Sequence, residues 1–206
     1  VWIPTSTNAD NGGTVFRPDS APAAGRWERD ADMLPLKWFG AKGDFTTDDT
    51  AAIQAWQTAM ATQYHRGGIV GPGRYKYTSP LSWTDYRNLM IVGSGGNFGS
   101  TAQTGSTFEF VGDSVAHATG GLVFRSVFSV VFRGVGFVNR TAGLSYFIDI
   151  GANDSPSLSS HRVLFDECGF GTAGSGACSQ AGILVANAKF VSFKGGLVDF
   201  RGERDF

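Results

Sequence analysis

The chain has 206 residues, of which 42% are hydrophobic, and its 17 Lys and Arg nearly balance 18 Asp and Glu for a formal net charge of −1. This near-zero charge excludes a function that relies on attraction to nucleic acid or to an anionic membrane surface. No run reaches the roughly 18 apolar residues of a membrane-spanning helix, so the sequence predicts no membrane insertion. The 29 glycines and 17 phenylalanines predict strands joined by many tight turns.

Two units are predicted along the chain. Residues 1–35 are interpreted as a lead-in segment of turns and short strands, because Gly, Pro, Thr, Asn and Asp are frequent there. Residues 36–206 are predicted to be the N-terminal part of a larger all-β domain that begins with a short apolar strand at Leu36–Phe39. Since the chain starts at Val1 and stops just after a strand-like run, we expect a piece of a longer protein.

One helix is predicted over residues 48–62, where apolar residues recur at steps of three and four. Thr47 is expected to cap its N-terminus, and Asp48 and Asp49 place negative charge at the positive end of the helix dipole. A helix start therefore explains both carboxylates, which would otherwise suggest a pair of glycosidase acids. The helix is expected to cover one end of a strand stack with Ile53, Trp56 and Met60.

Three later segments look like copies of one another: residues 130–137 (VVFRGVGF), 163–170 (VLFDECGF) and 191–198 (VSFKGGLV). Each copy is a strand, a turn and a second strand, which is typical of a β-solenoid whose circuits bury inward residues on their neighbours. The alignment predicts three phenylalanines stacked in the interior, each followed by an outward charge. The stacked residues are Phe132, Phe165 and Phe193, and the outward residues are Arg133, Asp166 and Lys194.

Several motifs carry a resemblance to a known family. Residues 36–44 (LKWFGAKGD) and 47–55 (TDDTAAIQA) resemble the opening of the pectate-lyase-like right-handed parallel β-helix superfamily. Residues 67–75 look like the strand and turn that follow in that family, although Arg74 stands where Thr is usual. Upstream, residues 9–15 (ADNGGTV) are similar to the lead-in that precedes the β-helix in phage tailspikes and capsule depolymerases.

The resemblance implies an all-β fold, a right-handed single-stranded parallel β-helix with a short N-terminal capping α-helix. It implies a homotrimeric protein of the phage virion, in contact with other tail proteins, that binds and depolymerises a bacterial surface polysaccharide such as capsule, exopolysaccharide or O-antigen. The reaction would be that of a glycoside hydrolase or a polysaccharide lyase, with no cofactor and no metal. The alternative is a noncatalytic receptor-binding or structural tail protein, because fold alone does not decide function.

Asp166 and Glu167 are weak catalytic candidates, because an outer face of the coils is where a long saccharide can lie. The offsets of the repeat place Arg133 and Lys194 beside Asp166, and two glycines beside Glu167. No acid is thereby paired with either carboxylate, whereas glycoside hydrolysis uses two. The sequence therefore does not predict a complete active site.

Three aromatic residues fall outside the strict core pattern and are candidate saccharide-binding residues: Trp83, Tyr86 and Tyr146. An exposed ring can stack on the apolar face of a pyranose, and contact with the core or with a trimer partner is the alternative for each. Cys168 and Cys178 are interpreted as buried free thiols, and a disulfide between them stays open.

Overall fold

The structure is a computed structural model that describes residues 1–19, 23–62, 67–95, 105–113, 120–151, 160–172 and 181–199. Its strands form one small antiparallel sheet and three parallel sheets. In these ranges no helix has the length and apolar character needed to cross a membrane.

The antiparallel sheet contains β1 (Trp2–Ile3), β2 (Val15–Phe16) and β3 (Arg26–Glu28), with β3 in the centre. The turn before β2 is held by Asn11, whose Oδ1 accepts hydrogen bonds from the backbone N–H groups of Gly13, Thr14 and Val15. An Asn side chain that bonds the backbone a few residues on favours such a turn.

Most remaining elements follow in one direction along the chain. β4 (Met33–Pro35), a 3-10 helix (Leu36–Phe39), β5 (Asp44–Asp48) and helix α1 (Thr50–Thr62) come first. The strands after α1 are β6 (Gly67–Ile69), β7 (Gly73–Tyr77), β8 (Leu81–Thr84), β9 (Arg87–Val92), β10 (Ser106–Phe110), β11 (Leu122–Arg125), β12 (Phe128–Arg133), β13 (Gly136–Asn139), β14 (Tyr146–Ile150), β15 (Ser160–Asp166), β16 (Gly169–Thr172), β17 (Ala181–Val185), β18 (Ala188–Lys194) and β19 (Leu197–Asp199).

The three parallel sheets are visited in a fixed order. The first sheet contains β5, β7, β10, β13, β16 and β19, the second contains β8, β11, β14 and β17, and the third contains β4, β6, β9, β12, β15 and β18. From β7 to β18 the chain passes through the first, second and third sheets in turn, and we call each such pass a circuit. Each strand therefore pairs with strands three places away, as expected for a repeat whose circuits stack on their neighbours. How the chain divides into a lead-in and a second unit stays a prediction.

The interior confirms the predicted register of the repeats. Phe132 pairs with Phe165, and Phe165 with Phe193, in the third sheet. Their rings stack nearly parallel, with centroids 5.6 Å and 5.1 Å apart. Phe132 and Phe165 are buried, whereas Phe193 is 41% exposed although its ring lies on the same stack. The two-residue alternation of strands thus places these rings on one face and the charges that follow them on the other.

Helix α1 covers the first strands of the stack as predicted. Ile53, Trp56 and Met60 are buried, and the Trp56 indole N–H donates to the Leu34 carbonyl at 2.7 Å. A Cβ at Gly68 would lie 2.0 Å from Trp56 Cζ2, so glycine is required where the indole meets β6. Among the described residues α1 is the one helix longer than a turn.

Two boundaries differ from the sequence prediction. The helix begins at Thr50, not Asp48, and Thr47 lies in β5, where its N–H donates to Asp44 Oδ1 instead of capping the helix. Leu36–Phe39 is a 3-10 helix and not a strand. It ends at Gly40, whose φ of +90° allows a tight left-handed turn, and a four-residue apolar run has too little periodicity to separate the two structures.

Left-handed backbone conformations recur at fixed positions of the circuit. One position lies within the strands of the third sheet, where φ is between +53° and +61° at Asn88, Ser129, Arg162 and Phe190. A second position follows directly after β12, β15 and β18, and its residues are Gly134 (φ +63°), Glu167 (φ +53°) and Gly195 (φ +64°). The second position forms part of the candidate site described next.

Candidate functional site

A depression of about 350 Å³ opens on the outer face of the third sheet. The last residues of β12, β15 and β18 meet there, because they occupy the same register in adjacent parallel strands and follow the inward phenylalanines. The lining residues are Arg133, Asp166, Glu167, Lys194 and Gly195. The predicted candidates Asp166 and Glu167 therefore lie together in one concave surface.

The four charged side chains of the depression differ in their contacts. Arg133 Nε and Nη2 each lie 2.8 Å from Asp166 Oδ2, and the Asp166 side chain is only 11% exposed. Glu167 donates its backbone N–H to the Lys194 carbonyl at 2.8 Å. Within the described part of the chain, neither the Glu167 carboxylate nor the Lys194 ammonium has a hydrogen-bond or ion-pair partner. Both groups are exposed and available to a ligand.

This arrangement suits binding better than hydrolysis. The register neighbours of Asp166 are the cations Arg133 and Lys194, as predicted, and its carboxylate is already engaged by Arg133. Two carboxylates on opposite sides of a glycosidic bond are what hydrolysis requires. The depression instead offers one free carboxylate as an acceptor and one free ammonium as a donor for saccharide hydroxyl groups.

Two of the predicted saccharide-binding aromatics are wrong as exposed platforms. Trp83 is 1% exposed and Tyr86 is 8% exposed. Trp83 alternates with Leu81 on the inward face of β8 and packs edge-on against Phe132, with ring centroids 5.2 Å apart. Tyr86 donates its hydroxyl to the Gln57 carbonyl at 2.7 Å, which ties it to α1. Tyr146 is partly exposed in β14, and its role stays a prediction.

The structure exposes a different pair of aromatic rings, which the sequence interpretation did not assign. Trp2 and Trp27 are directly opposite in the antiparallel sheet, are 40% and 55% exposed, and have ring centroids 5.4 Å apart. The signal was two tryptophans in a segment too polar to build a core. The pair lies at the lead-in, apart in sequence from the residues of the depression.

Asp48 and Asp49 have structural roles near the helix start, as predicted. Burial acts to raise the pKa of Asp48, but hydrogen bonds from Thr50 and Thr78 outweigh it and lower the pKa. Burial raises the pKa of Asp49, although its carboxylate accepts the backbone N–H groups of Lys42 and Gly43. These contacts hold the turn before α1 and use the carboxylates within the fold.

Two buried acids on outer faces were missed by the sequence interpretation. Glu109 accepts hydrogen bonds from both Arg74 and Arg140 on the first sheet. Asp149 forms a bidentate pair with Arg125 on the second sheet, at 3.1 Å and 2.6 Å. Because the carboxylates of Glu109 and Asp149 are 3% and 2% exposed, both networks are parts of the fold rather than open sites.

Cys168 is a free, buried thiol, and burial raises its pKa to about 11, so it is not a reactive nucleophile at neutral pH. Cys178 lies outside the described residues. In the ranges that the structure describes, no three His, Cys, Asp or Glu side chains are grouped to hold a metal ion.

Comparisons with known proteins give fold-level similarities of low identity. No protein-family model matches the chain, and no curated protein matches it. A candidate glycosyl hydrolase from Parabacteroides merdae is 13% identical, with a TM-score of 0.44 over 78% of this chain and 83% of that chain. The enzymatically active domain of tailspike protein 2 from bacteriophage CBA120 is 16% identical, with a TM-score of 0.32 over 95% of this chain and 41% of that chain.

The full-length tailspike protein 2 of an Escherichia coli O157:H7 bacteriophage is 14% identical, with a TM-score of 0.30 over 93% of this chain and 35% of that chain. This chain therefore spans about two fifths or less of the tailspike chains that it matches. At these identities and TM-scores, none of the three similarities assigns an activity to this chain.

Proposed function

We propose that the stacked circuits form a right-handed parallel β-helix and that the chain belongs to a phage tailspike which recognises and depolymerises a bacterial surface polysaccharide. The observation that carries the proposal is the depression on the third sheet, where stacked strands bring Asp166 and Glu167 between Arg133 and Lys194. A groove across parallel strands suits an extended saccharide, because successive circuits present side chains at a regular spacing of about 4.8 Å. The resemblance of residues 36–55 to the β-helix superfamily points to the same class of protein.

A noncatalytic receptor-binding tail protein is the second candidate, and a specific contact favours it. Asp166 is neutralised by Arg133 at 2.8 Å, and its other register neighbour is Lys194. A glycosidase site needs a second carboxylate about 5 to 9.5 Å from the first and free to act on the sugar or on water. We therefore propose that this chain contributes saccharide binding, and that bond cleavage is not carried by Asp166.

The same proposal includes assembly as a parallel homotrimer in the virion, with other tail proteins as partners. Its support is a group of exposed apolar side chains on or beside the outer face of the third sheet. Ile69, Met90 and Phe128 are 40%, 38% and 48% exposed. Exposed apolar patches of this kind mark protein interfaces. The oligomeric state in solution, measured by light scattering, tests this part of the proposal.

The function is tested by incubating the 206-residue chain with purified capsular polysaccharide, exopolysaccharide and O-antigen from a panel of bacteria. Binding, new reducing ends and the ultraviolet absorbance of unsaturated uronates are measured together. We expect binding to at least one polysaccharide with little or no release of reducing ends. Strong cleavage by this chain would overturn the structural assignment of Asp166. Absence of binding across the panel would overturn the proposed function.

A further inference from the structure

Glu167 occupies a backbone position that the adjacent circuits fill with glycine. Its φ of +53° lies between those of Gly134 (+63°) and Gly195 (+64°), which follow β12 and β18 as Glu167 follows β15. A side chain is disfavoured in this left-handed region because its Cβ approaches the following carbonyl oxygen. Glycine adopts the same conformation freely. The fold alone would therefore favour glycine at residue 167.

No contact within the described part of the chain explains why a glutamate stands there. The Glu167 carboxylate is exposed and has neither a hydrogen bond nor an ion pair with a described residue. The Glu167 Cγ lies over the bare backbone of Gly195, 3.5 Å from where a Cβ would be. Backbone strain of this kind accompanies functional sites, where a side chain is held for a ligand rather than for folding.

The surroundings of Glu167 leave room for a ligand and supply complementary groups. Gly134 and Gly195 carry no side chains on either side of it along the stack. The exposed Lys194 ammonium belongs to the same depression, as does the Arg133–Asp166 pair. The two cations and two anions cancel, so the depression has no net charge to attract a polyanion. Recognition by hydrogen bonds to hydroxyl groups is what remains.

We infer that Glu167 is a ligand-binding residue of the proposed saccharide site, accepting hydrogen bonds from sugar hydroxyl groups while Lys194 donates to a sugar oxygen. This inference rests on the proposed function and adds to it an uncharged, hydroxyl-rich segment of the saccharide as the part that Glu167 contacts. It also explains why the position keeps a residue that its backbone conformation disfavours. A loss of the carboxylate should weaken binding without weakening the fold.

The test compares Glu167→Gly and Glu167→Gln with a matched control, Arg162→Gly. Arg162 is also charged and exposed, precedes Glu167 on the same circuit, and has a φ of +58°, but it does not line the depression. Each variant of the 206-residue chain is applied to an array of purified bacterial capsular, O-antigen and exopolysaccharides. Affinity for the polysaccharide that the unmodified chain binds is then measured by biolayer interferometry, and Tm by calorimetry.

Both Glu167 variants are expected to bind roughly tenfold or more weakly, the loss of one charged hydrogen bond. Glu167→Gly should keep its Tm or raise it by up to about 3 °C. Arg162→Gly should keep or raise its Tm to a similar extent and retain the affinity of the unmodified chain. These results together would separate a ligand-binding glutamate from one that serves the fold.

Unchanged affinity in Glu167→Gly would overturn the inference and leave the proposed function standing. A clear fall in the Tm of Glu167→Gly would show that the glutamate serves the fold, which also contradicts the inference. An array on which the unmodified chain binds no polysaccharide would overturn the proposed function and the inference with it.

Discussion

Two clusters of cation, acid and cation lie on outer faces of the stack, one on the first sheet and one on the third. In the first-sheet cluster, which we call the closed triplet, Arg74 and Arg140 both donate to Glu109, whose side chain is 3% exposed. In the third-sheet cluster, the open triplet, Asp166 contacts Arg133, which is 53% exposed, while Lys194 makes no ion pair with a described residue. Similar charge patterns therefore occur in very different environments.

The closed triplet is covered by an aromatic ring. Phe45 lies over the guanidinium of Arg74 at 3.9 Å from the ring centroid, and over that of Arg140 at 4.8 Å. Phe45 has a φ of +66°, an uncommon conformation for a bulky residue, which the two cation–π contacts help to stabilise. The open triplet has a depression in place of such a cover. Burial thus decides whether a charge cluster stabilises the fold or remains accessible to a ligand.

The largest expected effect breaks the closed triplet. Glu109→Gln should lower the free energy of unfolding by about 3–5 kcal/mol, because two partly buried arginines would lose their shared counter-charge. Urea denaturation measures the change. A loss below about 1 kcal/mol would contradict the assignment of this cluster to the fold.

The rings beneath the open triplet give the next effect. Phe165→Ala and Phe132→Ala should each cost about 3–5 kcal/mol by leaving a cavity, because both rings are buried between stacked neighbours. Phe193→Ala is the matched control and should cost less, since Phe193 is 41% exposed. Equal losses at Phe165 and Phe193 would contradict the difference in burial. Thermal and urea unfolding of the three variants measure it.

Opening the exposed ion pair should matter much less. Asp166→Asn is expected to lower the free energy of unfolding by about 1 kcal/mol or less, because its partner Arg133 is largely solvated. Direct comparison with Glu109→Gln under the same urea conditions sharpens the contrast between the triplets. If Asp166→Asn were as destabilising as Glu109→Gln, the open triplet would also be part of the structural framework.

The smallest effect concerns the turn that carries the Phe45 cover. Hydrogen bonding from the backbone N–H of Thr47 lowers the pKa of Asp44 to about 2, from its ordinary value of 3.8. On acidification the unfolded chain binds the proton first, so this contribution is present above pH 3.8 and is lost as the pH falls toward about 2. Asp44→Asn should therefore flatten the pH dependence of the urea midpoint in this interval. An unchanged slope would show that Asp44 does not contribute.

The register of the open triplet was predictable from sequence because Phe followed by a charged residue recurs in three copies, and pairing in parallel strands preserves that alignment. The left-handed position of Glu167 also had a signal, since the copies align it with Gly134 and Gly195. Trp83 was misassigned because the polar Ser82 and Thr84 beside it are the outward residues of β8. The closed triplet could not be predicted, because Arg74, Glu109 and Arg140 come from three strands whose register no sequence copy indicates.

The central claim is that the open triplet and Glu167 form a saccharide site. Its most direct test is a crystal structure of the chain with an oligosaccharide cut from the polysaccharide that it binds. We predict sugar hydroxyl groups within hydrogen-bond distance of the Glu167 carboxylate, in the depression between Arg133 and Lys194. An oligosaccharide ordered elsewhere, for example on Trp2 and Trp27, with the depression free of sugar, would contradict the account.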